Sequence, residues 1–115
     1  MSNRIYHMCR LTEWQAAVAD GVYAGSSQDR ADGFIHFSAG EQVKESARRH
    51  RAGQSDLVLL VVDGDQLGDA LRWEEARGGE MFPHLYGSLP INAVMEVHAL
   101  PLDTHGDHRF PLLED

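Results

Sequence analysis

The sequence predicts an α+β domain: a mixed or antiparallel sheet with helices packed on it. Three observations lead there. The run Leu57 to Asp63 (LVLLVVD) is continuously apolar and rich in β-branched residues, the pattern of a central strand buried on both faces. The order of elements is β-α-β-α-β followed mainly by strands, which does not fit a doubly wound parallel fold. No G-x-G-x-x-G or phosphate-loop sequence is present to signal the common nucleotide folds.

The elements follow in chain order. Arg4 to Arg10 (RIYHMCR) reads as a strand, with Ile5, His7 and Cys9 on one face and Tyr6 and Met8 on the other. Thr12 and Gln15 have capping-box spacing, so a helix is expected from Thr12 to about Asp20-Gly21, burying Trp14, Ala17 and Val18. Val22 to Asp32 is expected to be a polar connection anchored by Tyr23 alone. Gly33 to Ser38 (GFIHFS) reads as a second strand, with Phe34, His36 and Ser38 on one face and Ile35 and Phe37 on the other. Ser38 and Glu41 again have capping-box spacing, and a helix is expected from about Ala39 to Ala52, stopped by Gly53. Its acidic residues come early and its arginines late, which complements the helix dipole.

After the central strand, Gly64-Asp65 makes a turn and Gln66 to Leu71 a helical turn. Arg72-Trp73-Glu74 forms a short strand, and Ala76 to Met81 a glycine-rich loop. Pro83 favours an extended start to Phe82-Pro83-His84-Leu85-Tyr86-Gly87. A long strand covers Ala93 to Leu100, and Arg109 to Leu113 adds an edge strand or a tail. No repeat, linker or low-complexity tract interrupts the chain, so residues 1–115 read as one domain.

Composition narrows the function classes. Hydrophobic content of 43% and charged content of 24% are globular values. No segment approaches the ~18 apolar residues of a membrane span. Met1-Ser2-Asn3-Arg4 leads straight into a strand with no cleavage-site pattern, and the expectation is a cytoplasmic protein. The single cysteine, Cys9, permits no internal disulfide and reads as a half-buried strand residue. A net charge of −8 argues against a broad nucleic-acid surface and leaves room for a small anionic ligand held by local groups. Oligomeric state leaves no mark on the sequence.

Seven histidines stand out. His105 and His108 lie in a polar turn and are expected to be solvated, His50 lies in a basic stretch, and His98 reads as structural. His7, His36 and His84 sit in apolar segments, where a buried imidazole needs a partner for each nitrogen. Each is either a core residue bonded to backbone or part of a shared cleft. Ser38 is either a plain helix cap or the place where a helix N-terminus meets phosphate, with Gln42 facing the same spot. Glu74 is either a solvated acid or a base or ribose-binding group. Tyr86 either stacks on a ring or fills the core. Lys44, Arg48, Arg49 and Arg51 read as a solvated helix face. Three histidines without tight ligand spacing make a metal-dependent hydrolase the least favoured class, and no metal is expected.

Ile5-Tyr6-His7, Trp14, Gly33 to Ser38 with Gln42, Trp73-Glu74 and Phe82 to Gly87 together resemble the bacterial family called domain of unknown function 952, over nearly the whole chain. That family is similar in fold to the ADP-ribosyltransferase group, including small enzymes that remove an RNA 2′-phosphate using NAD. The resemblance implies an ADP-ribosyltransferase-like fold and a cleft for NAD or a related nucleotide. His7 would meet the ribose, and His36 with Ser38 would form the second-strand motif. Glu74 or His84 would complete the site. His36, His84 and Glu74 are thus candidate catalytic groups, and His7, Ser38, Gln42 and Tyr86 candidate ligand-binding groups. A non-catalytic module binding a small metabolite in the same cleft is the alternative.

Overall fold

The structure is a computed structural model, described over residues 3–113. Met1 and Ser2, which open the run read as free of a cleavage site, lie outside the described residues. Eleven helices and strands follow one another among the described residues: β1 (Arg4–Arg10), α1 (Leu11–Asp20), β2 (Val22–Tyr23), α2 (Ser27–Asp32), β3 (Ile35–His36), α3 (Val43–His50), β4 (Leu57–Asp63), β5 (Leu71–Glu75), β6 (Met81–Leu85), β7 (Leu89–Pro90) and β8 (Val94–Leu100). Short 3₁₀ turns cover Gly64–Ala70, Arg77–Gly79 and Ile91–Ala93. None of the described helices is long and apolar enough to cross a membrane.

The strands form two three-stranded sheets, β1-β4-β8 and β3-β6-β5, and a small β2-β7 pair, with all these pairings antiparallel. The two larger sheets are joined. Tyr6 and Ser38 exchange both backbone hydrogen bonds at 2.8 Å, and the Phe37 N–H donates to the Pro83 carbonyl at 3.0 Å. The outer edge of β1 is thereby stitched to the chain leaving β3, and the seam creates a cleft.

The central position expected for Leu57 to Asp63 is observed: Leu57 through Val62 are all buried. The period-2 alternation of strands puts Ile5, Cys9, Val58, Leu60 and Val62 on one face. Ala17, Tyr23, Ile35, Phe37, Leu85 and Leu89 cover them. Tyr6, Met8, Leu59 and Val61 face the other way, against Val43 and Ala47 of α3. His7 stands between Ile5 and Cys9 on β1, opposite Leu60.

Several expectations are corrected. α1 starts one residue earlier, because Glu13, not Gln15, accepts the hydrogen bond that closes the first turn, from the Arg10 N–H at 2.9 Å. Its buried residue is Ala17, with Trp14 packed at the margin, whereas Val18 is 52% exposed. The connection from Val22 to Asp32 contains β2 and α2. α3 is shorter than Ala39 to Ala52. Ser38 does not cap it, because its hydroxyl lies 3.1 Å from the Ser46 hydroxyl instead. The turn before α3 is closed by Gln42, whose Oε1 accepts from the Ala39 N–H and whose Nε2 donates to the Met81 carbonyl, both at 2.9 Å. Cys9 is fully buried, and its thiol is pushed up to about 12 by burial. His108 is not simply solvated, since its Nε2 donates to the Gln54 carbonyl at 2.8 Å.

Candidate functional site

The seam between the sheets opens into a cleft of about 690 Å³. Tyr6, His7, Phe37 and Ser38 contribute from the seam itself. Ser26 to Asp29 and Asp32 form one wall, Ser46, His50 and Arg51 another, and His36 and His84 lie side by side on the third. The volume falls in the range of small-molecule sites.

His7 is locked. Its Nδ1 donates to the His36 carbonyl at 2.6 Å, and its Nε2 accepts from the Tyr23 hydroxyl at 2.8 Å. The Cys9 thiol completes the chain against Tyr23. Burial pushes the His7 imidazole below its ordinary value, so it is neutral at pH 7. With both nitrogens engaged inside the protein, the ring is a structural strut of the cleft floor.

His36 is the opposite case. Its side chain is 40% exposed. Its Nδ1 donates to Asp29 Oδ1 at 2.5 Å and its Nε2 to Asp32 Oδ2 at 3.0 Å. The hydrogen bond to Asp29, with the charges of both carboxylates, raises its pKa and favours the imidazolium.

Asp29, which the sequence reading missed, organises this wall. It is buried, and burial is the largest single influence on it, pushing its carboxyl up. The hydrogen bond from the His36 ring, the neighbouring His7 ring and the backbone N–H groups of Ser26 (2.8 Å) and His36 (3.1 Å) together outweigh burial and bring it down to about 2. Ser26 accepts in return from the Asp29 N–H at 3.2 Å, a reciprocal cap that starts α2. The spacing Ser26-x-x-Asp29 was the available signal.

His84 is buried beside His36, its partner in register across β3 and β6, with ring centroids 5.7 Å apart. Phe34 stacks on it at 4.1 Å. Behind it stand Glu74 and Tyr86. Glu74 Oε1 accepts from His84 Nδ1 at 2.8 Å and from the Tyr86 hydroxyl at 2.7 Å. Those two bonds, Tyr86's first, lower the Glu74 carboxyl below its usual range.

The structure therefore brings His7, His36, Ser38 and His84 to one cleft. Glu74 and Tyr86 reach it through His84 and do not line it. Gln42 does not line it either, because both ends of its amide are used in the turn before α3. Ser38 lines it with its hydroxyl beside Ser46, without a helix N-terminus behind it. Among the described residues, no three His, Cys, Asp or Glu side chains are grouped to hold a metal ion.

Comparison with known proteins gives the chain relatives. A family model described as a protein of unknown function (DUF952) matches residues 8–97. The crystal structure of protein CC0527 from Caulobacter crescentus is 47% identical in sequence, with a TM-score of 0.90, covering 93% of this chain and 94% of that one. The solution NMR structure of CC0527 is 48% identical, with a TM-score of 0.82 and 90% coverage of both chains. No curated protein matches.

Proposed function

We propose a function from one premise: the chain belongs to the DUF952 family. The cleft binds NAD or a related nucleotide on an ADP-ribosyltransferase-like fold, and the protein is a small enzyme of the ADP-ribosyl or 2′-phosphate transferase type. The observation that carries this reading is the convergence of His36, His84 and Ser38 with Arg10 and Arg51 on one cleft of small-molecule size. Arg10 and Arg51 add positive charge to the same cleft in a chain of net charge −8. Ser38 supplies a hydroxyl suited to a ribose or phosphate oxygen.

Isothermal titration with NAD and ADP-ribose tests this. Binding is expected, and it is expected to weaken in His36→Ala. A well-folded protein that takes up neither ligand at millimolar concentration contradicts the reading.

One observation favours a second reading, a non-catalytic binding module. Both ring nitrogens of His7 are bonded within the protein, so the first-strand histidine presents neither to a ligand. Ligand binding without nicotinamide release from NAD would support the module over the enzyme.

A further inference from the structure

We propose that Glu74 and His84 form a general-base dyad that serves a hydroxyl-bearing acceptor, water or a sugar alcohol. The inference rests on the nucleotide reading of the cleft and assigns it a second substrate. Two contacts fix the His84 ring, and a third fixes its Glu74 partner. Glu74 Oε1 holds Nδ1 at 2.8 Å, Phe34 stacks at 4.1 Å with an interplanar angle of 26°, and the Tyr86 hydroxyl holds the same Glu74 oxygen at 2.7 Å. A carboxylate only accepts, so the proton of a neutral His84 sits on Nδ1. Nε2 then keeps its lone pair, on a residue that lines the cleft. This is how a carboxylate sets the tautomer of a catalytic histidine.

The chemistry selects the acceptor. A carboxylate acceptor is already ionised and needs no base, whereas a hydroxyl must lose its proton as it attacks. In the step, the acceptor oxygen forms a bond to C1′ of the nicotinamide ribose of NAD. The C1′–N bond breaks and its electron pair goes to the nicotinamide nitrogen, cancelling the pyridinium charge. The acceptor's proton moves to His84 Nε2 and later leaves to solvent. His84 is the catalytic residue in this scheme, and Glu74 positions it.

The titratable and charged groups around His84 come from the two strands that flank β6. His36 is its neighbour on β3, and Arg72 is its register partner on β5, with the guanidinium 5.2 Å above the Tyr86 ring. Glu74, two residues on from Arg72, makes the contact to Nδ1.

Two measurements test the dyad. Long-range ¹H–¹⁵N spectra of the imidazole rings read the tautomer directly. At alkaline pH the wild-type His84 is expected to carry its proton on Nδ1, and Glu74→Ala is expected to lose that preference. Nicotinamide release from NAD is expected to fall about 100-fold or more in His84→Gln while NAD binding persists. Glu74→Ala is expected to lower release less and to change its pH profile. A His84 proton on Nε2 in the wild type, or wild-type release by His84→Gln, overturns the proposal. If NAD does not bind, the nucleotide reading falls separately, and the tautomer still decides the dyad.

Discussion

Asp29, His36 and His7 lie within a few ångströms of one another, yet their surroundings drive them to different protonation states. His36 is bonded through both nitrogens to carboxylates and its pKa is raised, whereas His7 is sealed in the core and its pKa is lowered. Proton linkage gives their stability effects opposite signs. His36 stabilises the fold fully below 6.5, and this contribution disappears as pH rises through its raised folded value. His7 opposes acidification, because the unfolded chain protonates near 6.5 before the buried ring does. A histidine NMR titration is expected to show His36 titrating above 6.5 and His7 below it; one shared midpoint near 6.5 contradicts the electrostatics. Asp29 is depressed from 3.8 to about 2, so its contribution is present above 3.8 and lost as pH falls through about 2. That displacement corresponds to about 2 kcal/mol. Denaturant unfolding measured between those two pH values is expected to lose about that much, and Asp29→Asn to flatten the profile. His7, His36 and His84 were legible in sequence because each interrupts an apolar segment. Asp29 was not, because Ser26-Ser27-Gln28-Asp29 has the composition of a loop.

The short segment α2 shows how one element holds this chemistry in place. Gly25 precedes it with φ of +97°, and a Cβ there would lie 2.8 Å from the Asp29 Cβ. Gly33 ends it with φ of +88° and nothing within 4 Å of a Cβ. Both alanine substitutions strain the backbone by about 1–2 kcal/mol. Only Gly25→Ala also displaces Asp29, so it is expected to lower thermal stability more and to move the His36 resonances, which Gly33→Ala leaves in place. Tyr23, on the two-residue β2, hydrogen-bonds His7 in the core. Tyr23→Phe leaves His7 Nε2 without its donor and is expected to cost about 1–3 kcal/mol in denaturant unfolding. A strand of two residues is too short to show alternation, which is why β2 and β7 did not emerge from the pattern. The long strands β1, β4 and β8 did, because seven residues suffice. The start of α3 was misplaced because Ser38-x-x-Glu41 has a cap's spacing, but Gln42's bonds to Ala39 and Met81 turn the chain first.

At the scale of the whole molecule, β4 organises the core and the Tyr6–Ser38 seam organises the cleft. The buried run of β4 was plain in the sequence, since no other segment is as continuously apolar. Leu60→Ala, at a fully buried position opposite His7, is expected to destabilise the fold by about 2–5 kcal/mol in denaturant unfolding. The seam was not legible, because it depends on two backbone hydrogen bonds between residues 32 positions apart that have no side-chain signature. The convergence of His36 and His84 follows from it and from the β3–β6 register. A second concavity, between α3 and the chain around Gly106 to Phe110, offers a control surface lined by Lys44, Arg48 and Asp107. The most direct test of the account is therefore a backbone amide NMR titration with NAD. Perturbations are expected to cluster at Ser26, Asp29, His36, Ser38 and His84 and to spare Lys44 and Gly106. No perturbation at millimolar NAD, or a cluster at Lys44 and Gly106 instead, contradicts the assignment of the cleft.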